Sequence, residues 1–203
     1  QGRAFSSGFD LREFAGSGPD GVSAREQAGL GRLMAEAMDR MSALSIAAIK
    51  GPCIGGGVAL AGVCDLRIAA DDTHFAIPEV DLGIPLAWGG IPRLVREIGP
   101  AMTRELVLTC RPFDAEEARS IGFVNRVVPR ADLDTAVNEL ATSIANKAPS
   151  VVRSTKRQVN VALENVATTV GAWSDADLLG AAMADPEARE AARRYLSSKS
   201  RAT

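Results

Sequence analysis

Three consecutive glycines, Gly55, Gly56 and Gly57, stand where an apolar strand-like run, Ile46–Ile49, gives way to a helix-like stretch over residues 58–64. Glycines entering a helix let a ligand approach bare backbone. The helix start then aims free N–H groups and the positive end of its dipole at one point. Such a point suits an anion, with tight strand–helix packing as the alternative reading. A P-loop would end in Gly-Lys-Ser/Thr, whereas Val58 and Ala59 follow Gly57. Residues 51–57 also lack the GxGxxG spacing of a dinucleotide fingerprint, so both phosphate readings weaken.

A chain of 203 residues, 46% hydrophobic and 24% charged, can bury the core of one globular unit. Its formal net charge of −2 gives no general electrostatic reason to bind nucleic acid. No apolar run is long enough to span a bilayer and no secretory pattern opens the sequence, so a soluble, cytoplasmic protein without a membrane partner is expected. Cys53, Cys64 and Cys110 are widely spaced among apolar residues and read as reduced thiols. His74 is the single histidine. A metal site built on several imidazoles is therefore excluded, and within Asp71-Asp72-Thr73-His74-Phe75 it reads as a surface or packing residue.

Along the chain, residues 3–5 look strand-like and residues 15–21 form a loop rich in glycine, serine and proline. Residues 23–44 have helical periodicity that places Leu30, Leu33, Met34, Ala37, Met38 and Met41 on one side, which predicts a core-facing stripe. A second strand is predicted over residues 65–70, helices over 89–98, 101–109 and 114–120, and a short strand over 124–128. From Asp132 onward the pattern is helical, broken near Pro149 and Gly171. Asp185-Pro186 marks the start of the last helix. The alternation of strand and helix predicts an α/β fold. It divides into a core over residues 1–140 and a C-terminal helical region over 141–203.

Three segments become more informative together than singly. Ala4-Phe5-Ser6-Ser7-Gly8-Phe9-Asp10-Leu11 is the first. Gly51-Pro52-Cys53-Ile54-Gly55-Gly56-Gly57, with Cys64-Asp65-Leu66-Arg67-Ile68-Ala69, is the second. Phe75-Ala76-Ile77-Pro78-Glu79-Val80-Asp81-Leu82-Gly83 is the third. In order and approximate spacing they resemble the crotonase, or enoyl-CoA hydratase/isomerase, family. The resemblance implies a spiral of ββα units and a helical C-terminal region that helps build a homotrimer or a dimer of trimers. It implies an acyl-CoA thioester as substrate, coenzyme A being part of that substrate, with no separate cofactor and no metal. It assigns an oxyanion hole to the backbone N–H groups of Ser7 and Gly56, and the catalytic base to Glu79. Phe5, Phe9, Asp10, Leu11, Gly55, Pro78, Leu82 and Gly83 are expected to line the substrate.

The chemistry is consistent with that assignment. A proton next to a thioester is only weakly acidic, so its removal needs donors fixed where the enolate oxygen develops charge, and a nearby base. Glu79 lies between Pro78 and Val80, where desolvation can raise its pKa. Enoyl-CoA hydratases resemble one another in carrying a second glutamate shortly after the glycine triplet, and Ala59 stands there in this chain. One carboxylate does not easily both position a water and shuttle its proton. A single glutamate is similar to what the family's enoyl-CoA isomerases use, and isomerase-like proton transfer is the favoured reading. A hydratase with an atypical site and a non-catalytic acyl-CoA-binding or assembly subunit are the alternatives. Asp81 is assigned a structural role. No aspartate stands at Ala87 or Trp88, which argues against the dehalogenase and dienoyl isomerase chemistries of the family. Family members also carry several tens of residues before the segment matching residues 2–5, so their N-terminal strands are expected to be missing here.

Overall fold

The computed structural model of the chain describes residues 2–8 and 24–200. Its elements are α1 (Ala24–Asp39), β1 (Ile46–Ile49), β2 (Pro52–Ile54), α2 (Gly56–Val63), β3 (Leu66–Ala70), β4 (His74–Ala76) and α3 (Gly90–Thr109). Then come β5 (Phe113–Asp114), α4 (Ala115–Ser120), β6 (Arg126–Val128), α5 (Leu133–Ala145), α6 (Pro149–Val166), α7 (Asp175–Ala184) and α8 (Pro186–Ser200).

Two successive strand–strand–helix units, β1-β2-α2 and β3-β4-α3, send their first strands to one sheet and their second strands to another. The first sheet is parallel, in the order β1-β3-β6, with Ile46 opposite Leu66 and Ala70 opposite Val128. The second has the order β2-β4-β5, parallel between β2 and β4 and antiparallel between β4 and β5. Ser6 forms a parallel bridge with Cys53, so the strand-like segment expected over residues 3–5 touches β2 at a single rung. The predicted helices over 89–98 and 101–109 are both present as the two arms of α3, which breaks where predicted, at Gly99 with its non-helical φ of 75° and ψ of 165°, ahead of Pro100.

The core lies between the sheets and helices α2, α3 and α4, around Phe75. Its ring stacks on Phe113 at 5.1 Å between centroids and meets Phe123 edge-on at 5.7 Å. The buried Arg67 of β3 threads this core. Its guanidinium donates to the carbonyls of Phe123, Ala61 and Cys64, and it pairs with Glu97 of α3. Its Cζ also lies 5.4 Å from the centre of the Phe123 ring. The C-terminal helices are tied back by charge. Lys156 of α6 donates to Asp65 and to the Ala43 carbonyl, each at 2.8 Å. Arg96 of α3 meets Glu164 at 2.6 Å, and Arg25 of α1 meets Asp177 at 2.6 Å. Asp185 caps α8, accepting from the N–H groups of Glu187 and Ala188 at 2.8 and 2.9 Å.

Helix α1 departs from the expected orientation. Leu30 and Leu33, placed in the core by periodicity, are 58% and 51% exposed, and Met34, Ala37 and Met41 are exposed as well. The inward face is instead carried by Gly31 and Ala35, both buried. The helix approaches its neighbours so closely that only small residues fit the contact.

Candidate active site

Gly55 opens helix α2 with φ 53° and ψ −115°, a combination that glycine alone adopts without strain. Its N–H is fixed by the Ala76 carbonyl at 2.8 Å, which locks the end of β2 to the end of β4. The chain then enters the helix. The N–H of Gly56 meets no acceptor among the described residues, as expected for the first turn of a helix. The N-terminal segment runs alongside: Ile54 donates to the Ser6 carbonyl at 2.9 Å, and Gly8 donates to Ser6 Oγ at 3.2 Å. The exposed Ser7 sits between them with its N–H likewise unpaired among the described residues. A Cβ on Gly57 would come 2.7 Å from that of Ser6, so two segments distant in sequence pack at the helix start.

Glu79 closes the arrangement. It stands in a turn after β4 in which Leu82 donates to the Pro78 carbonyl at 3.0 Å and Ile84 to the Glu79 carbonyl at 2.9 Å. Its side chain is 9% exposed, and Oε2 is buried with no hydrogen-bond partner. Burial pushes the carboxyl up to about 7, against a smaller opposing effect of a backbone hydrogen bond. Gly55 is what gives the carboxylate room. A Cβ there would lie 2.4 Å from Glu79 Oε1 and 3.2 Å from Cδ. Gly55→Ala therefore strains the backbone and displaces the acid together. Urea denaturation should show a loss of about 1–3 kcal/mol.

The position where sequence reasoning looked for a second acid is apolar throughout. Ala59 is 3% exposed, and its methyl lies 3.5 Å from where Gly90 would carry a Cβ, with Leu86 at 2.9 Å from the same point. Among the described residues no group of three or more His, Cys, Asp or Glu side chains is placed to hold a metal ion. No helix among them is long and apolar enough to cross a membrane.

Of the residues expected to line a substrate, Phe5 is half-buried against the core with its N–H on the Lys50 carbonyl at 2.8 Å, while Gly55 and Pro78 flank Glu79. Leu82 and Gly83 complete the turn, and Gly83 is covered by α8, where a Cβ would lie 2.2 Å from the Ala188 carbonyl oxygen. Phe9, Asp10 and Leu11 lie outside the described residues, as does the loop read over 15–21. Two further groups reach the Glu79 turn unannounced by the sequence. Burial pushes the Cys110 thiol up, against hydrogen bonds from the Asp81 and Val80 backbone, with the Asp81 and Glu79 charges adding smaller rises. Burial likewise raises the Tyr195 phenol of α8, followed by the charges of Asp81, Cys110 and Glu79.

Trp88 also approaches the glycines, from the other side. Its φ of 63° is uncommon for a bulky residue. Arg93 holds it there by donating to the carbonyls of Trp88 and Gly89 at 2.9 and 3.1 Å while pairing with Asp39. Asp175 accepts from the Gly89 N–H at 2.8 Å. The signals for this clamp were indirect: a glycine inside α1 and a glycine pair after the tryptophan.

The family model for enoyl-CoA hydratase/isomerase matches residues 1–201. A protein of Mycobacterium tuberculosis named a probable enoyl-CoA hydratase is 41% identical over 164 residues, covering 80% of this chain. The chain spans 62% of that relative's length. A peroxisomal Delta(3,5)-Delta(2,4)-dienoyl-CoA isomerase of Arabidopsis thaliana is 36% identical over 195 residues, covering 88% of this chain and 69% of its own. Among solved structures, a probable enoyl-CoA hydratase of Mycobacterium thermoresistibile superposes with a TM-score of 0.75 at 36% identity, over 91% of this chain and 75% of that one. With the two strand–strand–helix units and the glycine turn already in place, these matches establish that the chain belongs to the enoyl-CoA hydratase/isomerase, or crotonase, family.

Proposed function

We propose that the chain processes an acyl-CoA thioester by stabilising its enolate and moving one proton with Glu79, in the manner of an enoyl-CoA isomerase. The observation that carries this reading is the pairing of a buried Glu79 at the glycine turn with an apolar Ala59 where a second acid would stand. The thioester oxygen accepts from the N–H groups of Ser7 and Gly56. Those donors act where negative charge develops, and the start of α2 adds its dipole. Glu79 takes a proton from C2 of a 3-enoyl thioester, and the electron pair of the broken C–H bond delocalises onto the carbonyl oxygen. The same carboxyl returns the proton to C4 as the double bond moves to C2–C3. No co-reactant enters. A carboxyl with pKa near 7 suits both halves of the transfer, since neither its acid nor its base form is scarce at neutral pH.

The lining expected of Phe5, Phe9, Asp10, Leu11, Gly55, Pro78, Leu82 and Gly83 belongs to the same proposal, as does assembly into a homotrimer or a dimer of trimers. Apolar side chains exposed on α6 to α8, among them Val151, Val159, Val161 and Leu178, are in keeping with such assembly. Hydration is the second reading, supported by the hydratase names of relatives such as the mycobacterial protein. A direct comparison separates them. Incubation with a 3-enoyl-CoA should yield 2-enoyl-CoA without accumulation of the 3-hydroxyacyl thioester. Hydroxyacyl-CoA formed from 2-enoyl-CoA at a comparable rate would favour hydration. Acyl-CoA binding without either product would favour a non-catalytic subunit.

A further inference from the structure

From the seat of Trp88 we infer that this residue determines acyl-chain specificity: its indole ends the acyl pocket and selects short-chain thioesters. The inference rests on the acyl-CoA reading above, and four observations carry it. First, the indole is wedged between two positions that lack side chains. A Cβ on Gly31 would lie 2.0 Å from Cε2 and 2.2 Å from Cδ2 and Nε1, and a Cβ on Gly56 would lie 2.7 Å from Cζ3 and 2.9 Å from Cη2. The face of the five-membered ring therefore packs on Gly31 of α1, and the far edge of the six-membered ring reaches the helix start that receives the thioester oxygen.

Second, the ring is held in an uncommon backbone conformation by Arg93 and Asp175, so it is a fixed wall rather than a side chain free to swing aside. Third, the buried Leu86 and Ala59 pack at Gly90, two residues after Trp88, and leave no room there for a further side chain. Fourth, Glu79 occupies the side of Gly55. An acyl group whose carbonyl is held at Gly56, and whose C2 and C4 face Glu79, meets the indole edge after its first carbons. An aromatic wall of this rigidity favours a short or flat acyl group, because a longer chain must displace the ring or leave the pocket.

Saturated thioesters test this independently of the reaction catalysed. Calorimetric titration of the full chain should show butyryl-CoA binding at least tenfold tighter than dodecanoyl-CoA. Trp88→Ala should reduce that ratio at least tenfold, and Trp88→Phe should give an intermediate value. A purely structural role would weaken both ligands equally, and an unchanged ratio would overturn the inference. Failure of the wild-type chain to bind either thioester would overturn the acyl-CoA reading and the inference with it. A second measurement covers the case in which Trp88→Ala does not fold. Trp173→Phe leaves Trp88 as the only tryptophan of the two in the sequence. Its emission should shift on saturation with butyryl-CoA and not with free coenzyme A. An unshifted emission at saturation would again overturn the assignment.

Discussion

Glu79→Gln should lower kcat by about 10²- to 10⁴-fold, the range spanned by positioned general acid–base groups, while leaving acyl-CoA affinity within a few-fold. Glutamine keeps the shape and the hydrogen-bonding reach of the side chain but exchanges no proton. The pH dependence of the wild-type protein should carry the same signature. For a carboxylate base pushed up to about 7, kcat/KM rises with pH through that value and then levels. In Glu79→Gln the rise should disappear. Turnover by the variant equal to wild type would remove Glu79 as the base.

The same group should make stability move the opposite way. The folded chain holds the Glu79 proton up to about pH 7, whereas an unfolded chain releases it near 4.5. Between those values the native state binds more protons than the unfolded state, so stability is greatest below 4.5 and declines as pH rises through 7. A difference of that size corresponds to about 3 kcal/mol. Glutamine carries no such dependence. Thermal melts at pH 5 and pH 8 should therefore show the variant gaining on wild type at the higher pH, a case in which loss of activity accompanies gain of stability.

Arg67→Ala should be the most destabilising single change, by about 3–5 kcal/mol, the usual cost of removing one partner of a buried ion pair. The guanidinium is 3% exposed and serves three carbonyls and the Glu97 carboxylate at once. Alanine would leave all of them unpaired in a medium where water cannot replace the donor. Burial already raises the Glu97 carboxyl against the opposing pull of Arg67, so losing that cation should raise it further. Urea denaturation is the direct measurement. Arg67→Lys should fall between, retaining charge but not the forked geometry that reaches several acceptors. Since most domains are stable by only about 5–15 kcal/mol, that loss removes a large share of the folding free energy.

The features legible in the sequence were those in which local chemistry and local geometry coincide. A glycine cluster between an apolar run and a helical pattern has few uses, and the Pro78-Glu79 step places an acid in a turn whatever surrounds it. The strands β1 and β3 were readable from their apolar runs. The strands β2, β4 and β5 were not, because two or three residues are too few to show an alternation. Helix α1 illustrates a different failure. Periodicity weights large apolar residues, so Leu30 and Leu33 were read as inward, while the actual contact is made by Gly31 and Ala35, which contribute little to any hydrophobic pattern. Arg67 was hidden for a related reason. A charge in a strand reads as exposed, and nothing local reveals that its acceptors come from Ala61, Cys64, Phe123 and Glu97.

The contact between Gly83 and Ala188 has a consequence for the order in which the molecule is completed. The turn that carries Glu79 is synthesised before the helix that rests on it, in which Ala188 lies over Gly83 and Tyr195 follows further along. Until those later residues leave the ribosome, the turn lacks the cover that α8 lays over Gly83. Closing a loop of roughly half the chain is entropically slow relative to forming the local turn. The cover over the turn that holds the acid is thus added after the turn itself, by a segment distant in sequence that takes no part in the proton transfer.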